Sequence, residues 1–230
     1  MEKYNSIYII AGGYVSPAFL QSKIREAKDE KPFIFAADRG LEVLKKIGIV
    51  PDLMLGDFDS ASSEVVDYFR GLSVEEIKLN PIKDDTDMEA AIRESLRRFP
   101  GVPITIFGAT GTRLDHVLAN VNLLALGLLD DGVNTPITIL DEHNKIYLLE
   151  SGKEAVISKE KQHGKYFSLL NYTDNVHGLR ITGAAYNVGD ENGGIDFVRG
   201  ISRGVSNEVA GEKARITIED GILIVIESRD

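Results

Sequence analysis

Three stretches of the chain collect side chains suited to phosphate chemistry. Gly56-Asp57-Phe58-Asp59-Ser60 and Asp84-Asp85-Thr86-Asp87 are dense in carboxylates, and Gly108-Ala109-Thr110-Gly111-Thr112-Arg113-Leu114-Asp115-His116 joins glycines to an arginine. Asp57 and Asp59 are two residues apart, so on extended backbone both side chains fall on one side. Carboxylates that close repel unless a cation or a shared proton relieves them. The chain has no cysteine and no histidine beside these acids, so the ligands on offer are oxygens. That donor set suits Mg²⁺, which bridges one or two carboxylates to substrate phosphates. The competing reading is local, because an Asp or Ser just after a strand often caps the next helix.

The glycine-rich stretch offers backbone N–H groups and the positive end of a helix to an anion. Arg113 adds a planar cation matched to phosphate oxygens. Neither G-x-x-x-x-G-K-[ST] nor G-x-G-x-x-G occurs. A glycine-eased turn, with Asp115 favoured by the dipole of the following helix, is the simpler alternative. Ser202-Arg203-Gly204-Val205-Ser206-Asn207-Glu208 reads from composition as a polar β-turn, and His143, His163 and His177 show no ligand spacing.

These residues need elements to hold them. Ser6 to Gly13, Pro32 to Asp38, Asp52 to Asp57, Pro103 to Ala109 and Pro136 to Asp141 read as buried strands, with a weaker one over Val74 to Leu79. Thr86 to Phe99 reads as a helix opened by a Thr86-x-x-Glu89 capping box, and Arg113 to Leu129 as a second apolar helix. Strands alternating with helices predict a doubly wound parallel sheet, whose strand carboxyl ends form the ligand-binding edge. After residue 142 glycines become denser and the apolar runs become short and period-two, predicting an antiparallel β-sandwich. Glu219-Asp220-Gly221-Ile222 predicts a hairpin between the last two strands. The expected domains are thus an α/β catalytic domain over 1–142 and a β-sandwich over 143–230.

Composition narrows the classes. The 230 residues carry 26 Lys+Arg and 36 Asp+Glu, a formal charge of −10, most of it in the first 142 residues. Such a chain lacks the basic patch that nucleic acids and anionic membranes reward. No apolar run is long enough for a membrane span and the start carries no signal-peptide pattern, so a cytoplasmic protein is expected. The absence of cysteine removes disulfides, zinc-thiolate sites and thiol nucleophiles.

Taken in order, Ala37-Asp38-Arg39-Gly40, Pro51-Asp52 leading to Gly56-Asp57-Phe58-Asp59-Ser60, Asp84-Asp85-Thr86-Asp87, Gly108 to His116 with Asn120, and Ser206-Asn207-Glu208 resemble the thiamine pyrophosphokinase family. The resemblance implies transfer of diphosphate from ATP to the thiamine hydroxyl, releasing AMP. It also implies a homodimer, with thiamine between the first domain of one subunit and the second of the other. By resemblance Asp57, Asp59 and Asp84 hold Mg²⁺, one acid of a group that includes Asp87 takes the hydroxyl proton, and Arg39 and Arg113 oppose phosphate charge. Thr110, Gly111, Asp115 and His116 line the nucleotide end, and Ser206 and Asn207 bond the thiamine pyrimidine. Members often stack an aromatic ring on that pyrimidine; this chain has no Trp, and Ile181 stands where the ring is expected. Tyr186 and Phe197 remain as residues able to supply it. Haloacid dehalogenase-type phosphohydrolases also place D-x-D after a strand, but here Ala61 occupies the fifth motif position.

Overall fold

The computed structural model describes residues 4–27, 31–80, 86–111, 113–129, 133–190 and 192–230. Asp84, Asp85 and Thr112 lie outside them. The chain divides into two compact units, Met1–Glu142 and His143–Asp230.

In the first unit the elements run β1 (Ile7–Ile10), α1 (Pro17–Glu26), β2 (Phe33–Ala37), α2 (Gly40–Ile47), β3 (Leu53–Gly56), α3 (Ser63–Gly71), β4 (Glu75–Lys78), α4 (Asp87–Arg98), β5 (Ile104–Phe107), α5 (Leu114–Leu123), α6 (Leu126–Leu129) and β6 (Ile137–Leu140). The strands lie in the order β6-β5-β1-β2-β3-β4. Every pairing among them is parallel. FIFAA of β2 and LMLG of β3 are buried along their whole length, as strands covered on both faces must be. The order runs outward from β1 in both directions, so the topological switch point falls between β1 and β5, where such sheets bind ligands.

Helix α4 forms where its apolar spacing places it, burying Met88, Ala91, Ile92 and Ser95. Thr86 caps it, its Oγ1 accepting from Glu89 N–H at 3.2 Å. Glu89 also accepts from Arg93 at 2.6 Å. The apolar stretch from Arg113 to Leu129 is two helices rather than one, with the break at Leu124-Ala125. The break seats Gly127 against the loop before β6: a Cβ there would lie 2.1 Å from the Thr135 carbonyl oxygen.

The second unit contains β7 (Asn144–Glu150), β8 (Glu154–Ser158), β9 (Tyr166–Asn171), β10 (Asn175–Thr182), β11 (Ile195–Val198), β12 (Asn207–Glu208), β13 (Lys213–Thr217) and β14 (Ile222–Ser228). Two antiparallel sheets, β12-β9-β14-β7 and β11-β10-β13-β8, enclose a core that includes Leu169, Val176, Phe197, Ile216, Leu223 and Val225. Along β14 the burial alternates strictly, Leu223, Val225 and Glu227 pointing inward. Glu227 is only 2% exposed; it accepts from Lys145 Nζ at 2.7 Å and from the His163 N–H at 2.8 Å, which answers the requirement that a buried charge be paired.

Two local expectations fail here. The last two strands do not form a hairpin: β13 pairs with β10 and β8, whereas β14 pairs with β7 and β9. Gly221, at φ 93°, turns the chain from one sheet to the other. A turn signal specifies a reversal and not the partner, and here burial of both apolar faces decides the partner. The stretch Ser202 to Glu208 is not all turn either, since Asn207 and Glu208 pair with Phe167 and Tyr166 as an added edge strand. Among the described residues no helix is long and apolar enough to cross a membrane.

Candidate active site

Strands β2 and β3 end side by side, and each hands the chain to an acid. Asp38 follows Ala37, its backbone N–H donating to Leu55 O at 2.9 Å, and Asp57 follows Gly56. One carboxylate oxygen from each of Asp38, Asp57 and Asp59 lies within 4.8 Å of the others. Asp57 and Asp59 are not brought together by strand alternation, as extended backbone would do. Phe58 sits at φ 60°, a left-handed conformation that a bulky residue rarely adopts. The reversal lets the Asp59 N–H donate to Asp57 Oδ1 at 3.1 Å. Phe58 itself packs against the core cluster that includes Met54 and Phe69, and the Arg70 guanidinium lies 6.0 Å from its ring centre. The strained turn is therefore anchored by burial of its central side chain.

Neither Asp59 nor Ser60 caps the following helix; Ser62 occupies the cap position of α3. Ser60 instead donates its hydroxyl to Asp38 Oδ2 and ties the acidic turn to β2. Asp38, at φ 47°, also adopts a left-handed backbone, which Asp tolerates better than most residues. Its Oδ1 is buried and has no hydrogen-bond partner among the described residues. Burial raises the Asp38 pKa above the ordinary carboxylate value; the Ser60 hydroxyl opposes this, and the nearby charges of Asp87 and Asp57 add to it. Asp87, the first residue of α4, is thus electrostatically part of the group.

The fourth acid singled out by the sequence, Asp84, lies outside the described residues. Asp38 is the member that residue-level reading did not assign. Its signal was present, since it follows the buried run FIFAA as Asp57 follows LMLG.

Beside this group lies the switch point. The Gly13 N–H donates to Gly108 O at 3.1 Å, and a Cβ on Gly13 would fall 2.2 Å from that oxygen. Glycine is required for the two loops to approach so closely. A Cβ on Gly12 would lie 3.9 Å from Asp38 Oδ2, so the loop after β1 borders the acids directly. Arg39, next to Asp38, is half exposed, with Glu42 at 3.9 Å.

On the other flank Asn120 of α5 donates to Ala109 O at 2.8 Å and fixes the loop after β5. The Thr110 hydroxyl donates to Asp141 at 2.6 Å, and Gly111 has open space around it. Arg113 is at the cap position of α5 without capping it; its guanidinium donates to Asp115 at 2.6 and 3.2 Å. That guanidinium is the main cause that holds the Asp115 carboxyl down at about 2, helped by the His116 N–H. Both side chains are largely exposed. His116 is exposed as well.

In the second unit Ser206 is exposed at φ 60°, its N–H donating to Ser168 Oγ at 3.0 Å. Asn207 is 6% exposed, and its carboxamide is taken up by backbone: Oδ1 accepts from Tyr186 N–H and Glu208 N–H, and Nδ2 donates to Tyr186 O. Of the two candidate rings, Phe197 lies in the core at 2% exposure and Tyr186 is 73% exposed.

Comparison with known proteins decides what this arrangement belongs to. A family model described as thiamin pyrophosphokinase, catalytic domain, matches residues 24–134, and one described as thiamin pyrophosphokinase, vitamin B1 binding domain, matches residues 154–223. The chain belongs to the thiamine pyrophosphokinase family. Thiamine pyrophosphokinase from Bacillus subtilis is 29% identical over 225 residues, spanning 98% of this chain and 99% of that protein. The crystal structure of the Bacillus subtilis protein superposes with a TM-score of 0.83 over 98% of this chain and 99% of that chain. The yeast structure is 18% identical and shares the fold, with a TM-score of 0.76 over 99% of this chain and 87% of its own. As a thiamine pyrophosphokinase this chain is an enzyme that forms thiamine diphosphate at the expense of ATP.

Proposed function

We propose that the acids at the ends of β2 and β3 form the metal centre of this reaction, and that the loop after β5 receives the nucleotide. The observation that carries this reading is the three-carboxylate group, with the buried Asp38 Oδ1 lacking a partner among the described residues. All donors are oxygens, which fits Mg²⁺. Asp38, Asp57 and Asp59 would hold it, with Asp84 as a fourth acid supplied by the segment before α4. When bound, the ion neutralises phosphate charge and acts as a Lewis acid on phosphoryl oxygen.

The chain's own residues do the remainder. Arg39 and Arg113 oppose phosphate charge, and Arg113 exchanges Asp115 for a phosphate oxygen when ATP arrives. Thr110, Gly111, Asp115 and His116 line the nucleotide end. The thiamine hydroxyl oxygen bonds to the β-phosphorus while the bond to the α–β bridging oxygen breaks and AMP leaves with that oxygen. The hydroxyl proton passes to a carboxylate of the acidic group, in which Asp87 is the member carried by α4. Positioning and charge neutralisation do most of the catalysis in such a transfer.

A homodimer with its site at the subunit interface belongs to the same proposal. Most residues of α5 are apolar, yet none is buried, and Leu114 and Leu118 are 72% and 65% exposed. That face begins beside Arg113 and Asp115. Use of ATP as donor accords with a cytoplasmic location.

The test is incubation with thiamine, ATP and Mg²⁺, following AMP and thiamine diphosphate together. Equal amounts of the two products are expected, and Asp57→Asn is expected to lower the rate at least 100-fold. Full activity of Asp57→Asn at limiting Mg²⁺ would remove the metal role; ADP with thiamine monophosphate would mean single-phosphoryl transfer.

A further inference from the structure

Strand β6 ends in an acid, as β2 and β3 do. Asp141 directly follows Leu140, the last residue of β6, and its Oδ2 accepts the Thr110 hydroxyl at 2.6 Å. That length is typical of an O–H donating to an ionised carboxylate. Strand β6 pairs with β5, whose following loop carries Thr110, so the contact joins two neighbouring strand ends. Both residues are partly exposed. Sequence motifs assign Thr110 to the nucleotide end, and they leave Asp141 without a role.

The direction of this hydrogen bond decides what the pair can bind. Thr110 has given its only hydroxyl proton to Asp141, so toward a ligand its oxygen can only accept. A carboxylate has about four lone-pair sites, so one hydroxyl does not exhaust Asp141. Two acceptor oxygens 2.6 Å apart, one of them anionic, disfavour phosphate and select two adjacent donors. In ATP the donors are the two ribose hydroxyls and the amino group of the base. The hydroxyls stand on neighbouring carbons and present one O–H to each acceptor, whereas the amino hydrogens diverge from a single nitrogen. The sheet supports the same choice. From β6 to β2 there are three strand intervals, in the order β6-β5-β1-β2, or about 14 Å at the usual separation. Asp141 and Asp38 follow those two strands. A triphosphate anchored at the acids therefore reaches Asp141 with its nucleoside end and not with its phosphates.

We infer that Asp141 and Thr110 together form the ribose site of this enzyme, each accepting one of the two sugar hydroxyls. This rests on the proposed placement of the nucleotide at the loop after β5, and it names the part of ATP that the loop recognises. Asp141 binds and orients the donor substrate and takes no part in the transfer itself.

The experiment compares ATP with 2′,3′-dideoxy-ATP, which lacks both hydroxyls, as diphosphate donors. The full chain is used unaltered and as Asp141→Ala, Asp141→Asn and Thr110→Val. The unaltered chain is expected to favour ATP in kcat/KM by about tenfold or more, the difference lying in KM. Asp141→Ala is expected to raise the KM for ATP about tenfold while leaving the constants for dideoxy-ATP and thiamine near their parent values. The preference for ATP then largely disappears, and Thr110→Val lowers it as well. Asp141→Asn keeps an oxygen for the Thr110 hydroxyl, and with it the loop, and should fall between the parent and Asp141→Ala. The preference compares two donors on one preparation, so the fraction of a variant that folds cancels from it. Equal use of both donors by the unaltered chain overturns the ribose site. An equal loss with both donors in Asp141→Ala makes the contact a loop brace and overturns it too. Loss of a preference for ATP over inosine triphosphate, with the sugar preference intact, would reassign the pair to the base and overturn it likewise. Failure of the unaltered chain to form thiamine diphosphate from ATP would instead sink the functional reading on which the inference rests.

Discussion

Replacing Asp38 by Asn should make the metal-free protein more stable and shrink the further stabilisation that Mg²⁺ adds. The side chain keeps its shape, and its remaining oxygen can still accept the Ser60 hydroxyl. What changes is charge. Asp38, Asp57 and Asp59 place three carboxylate oxygens within 4.8 Å of one another, with Asp87 adding to the field. At an effective dielectric near 20, two unit charges that far apart repel by about 3 kcal/mol. Water reaches Asp59, which is exposed, so the relief on removing one charge is scaled down to about 1–2 kcal/mol. For a chain of this length that is a rise of roughly 2–8 °C in the thermal midpoint without divalent ions. Saturating Mg²⁺ should stabilise the parent by about 2.7 kcal/mol at one hundred times its Kd. A tenfold weaker site would keep about 1.4 kcal/mol of that at the same concentration. Differential scanning calorimetry of both proteins, with chelator and with a Mg²⁺ series, reads both effects. A lower midpoint for Asp38→Asn in chelator, or an unchanged Mg²⁺ increment, refutes the account of the cluster as mutually repelling metal ligands.

Arg113→Ala should raise the KM for ATP about tenfold and leave the thiamine KM near its parent value, as initial rates with each substrate varied will show. Glu227→Ala leaves the Lys145 ammonium and the His163 N–H without their buried acceptor and should cost about 3 kcal/mol in urea denaturation. A loss under 1 kcal/mol would mean that water replaces the carboxylate. The arginines that flank Glu94, Arg97 first and then Arg98, lower its pKa from 4.5 to about 2. A depressed carboxylate stabilises the fold above its unfolded value and loses that contribution as pH falls through the folded one. Thermal midpoints measured from pH 6 to pH 2 should therefore fall less steeply for Glu94→Gln, and an unchanged acid limb would contradict the pairing.

Much was legible in the one-dimensional pattern because it depends on periodicity and burial. A strand covered on both faces must read as an unbroken apolar run, and FIFAA and LMLG do. Helix α4 announces itself through its cap and its inward spacing, and the shift to period-two runs marks the second fold class. The acids at strand ends were visible for the same reason, because a charge cannot continue a buried run. Details that depend on backbone reversal were not visible. Phe58 at φ 60° looks in sequence like one more strand residue, and so Asp57 and Asp59 looked like neighbours on one face.

The sequence by itself determined two folds, a parallel sheet whose strands end in carboxylates, and a family whose motifs occur in order. Tertiary structure alone decided which residues meet. Asp38 and Asp59 are separated by α2, β3 and their connecting loops, yet the parallel pairing of β2 with β3 and the Ser60 hydroxyl bring them together. Asn207 was a polar residue in a turn until strand pairing buried it under Tyr186 and consumed its hydrogen bonds. Local patterns follow from the solvation of each segment. Partnerships across the sheets follow from the closing of long loops around a common core, and no short window of sequence carries that information.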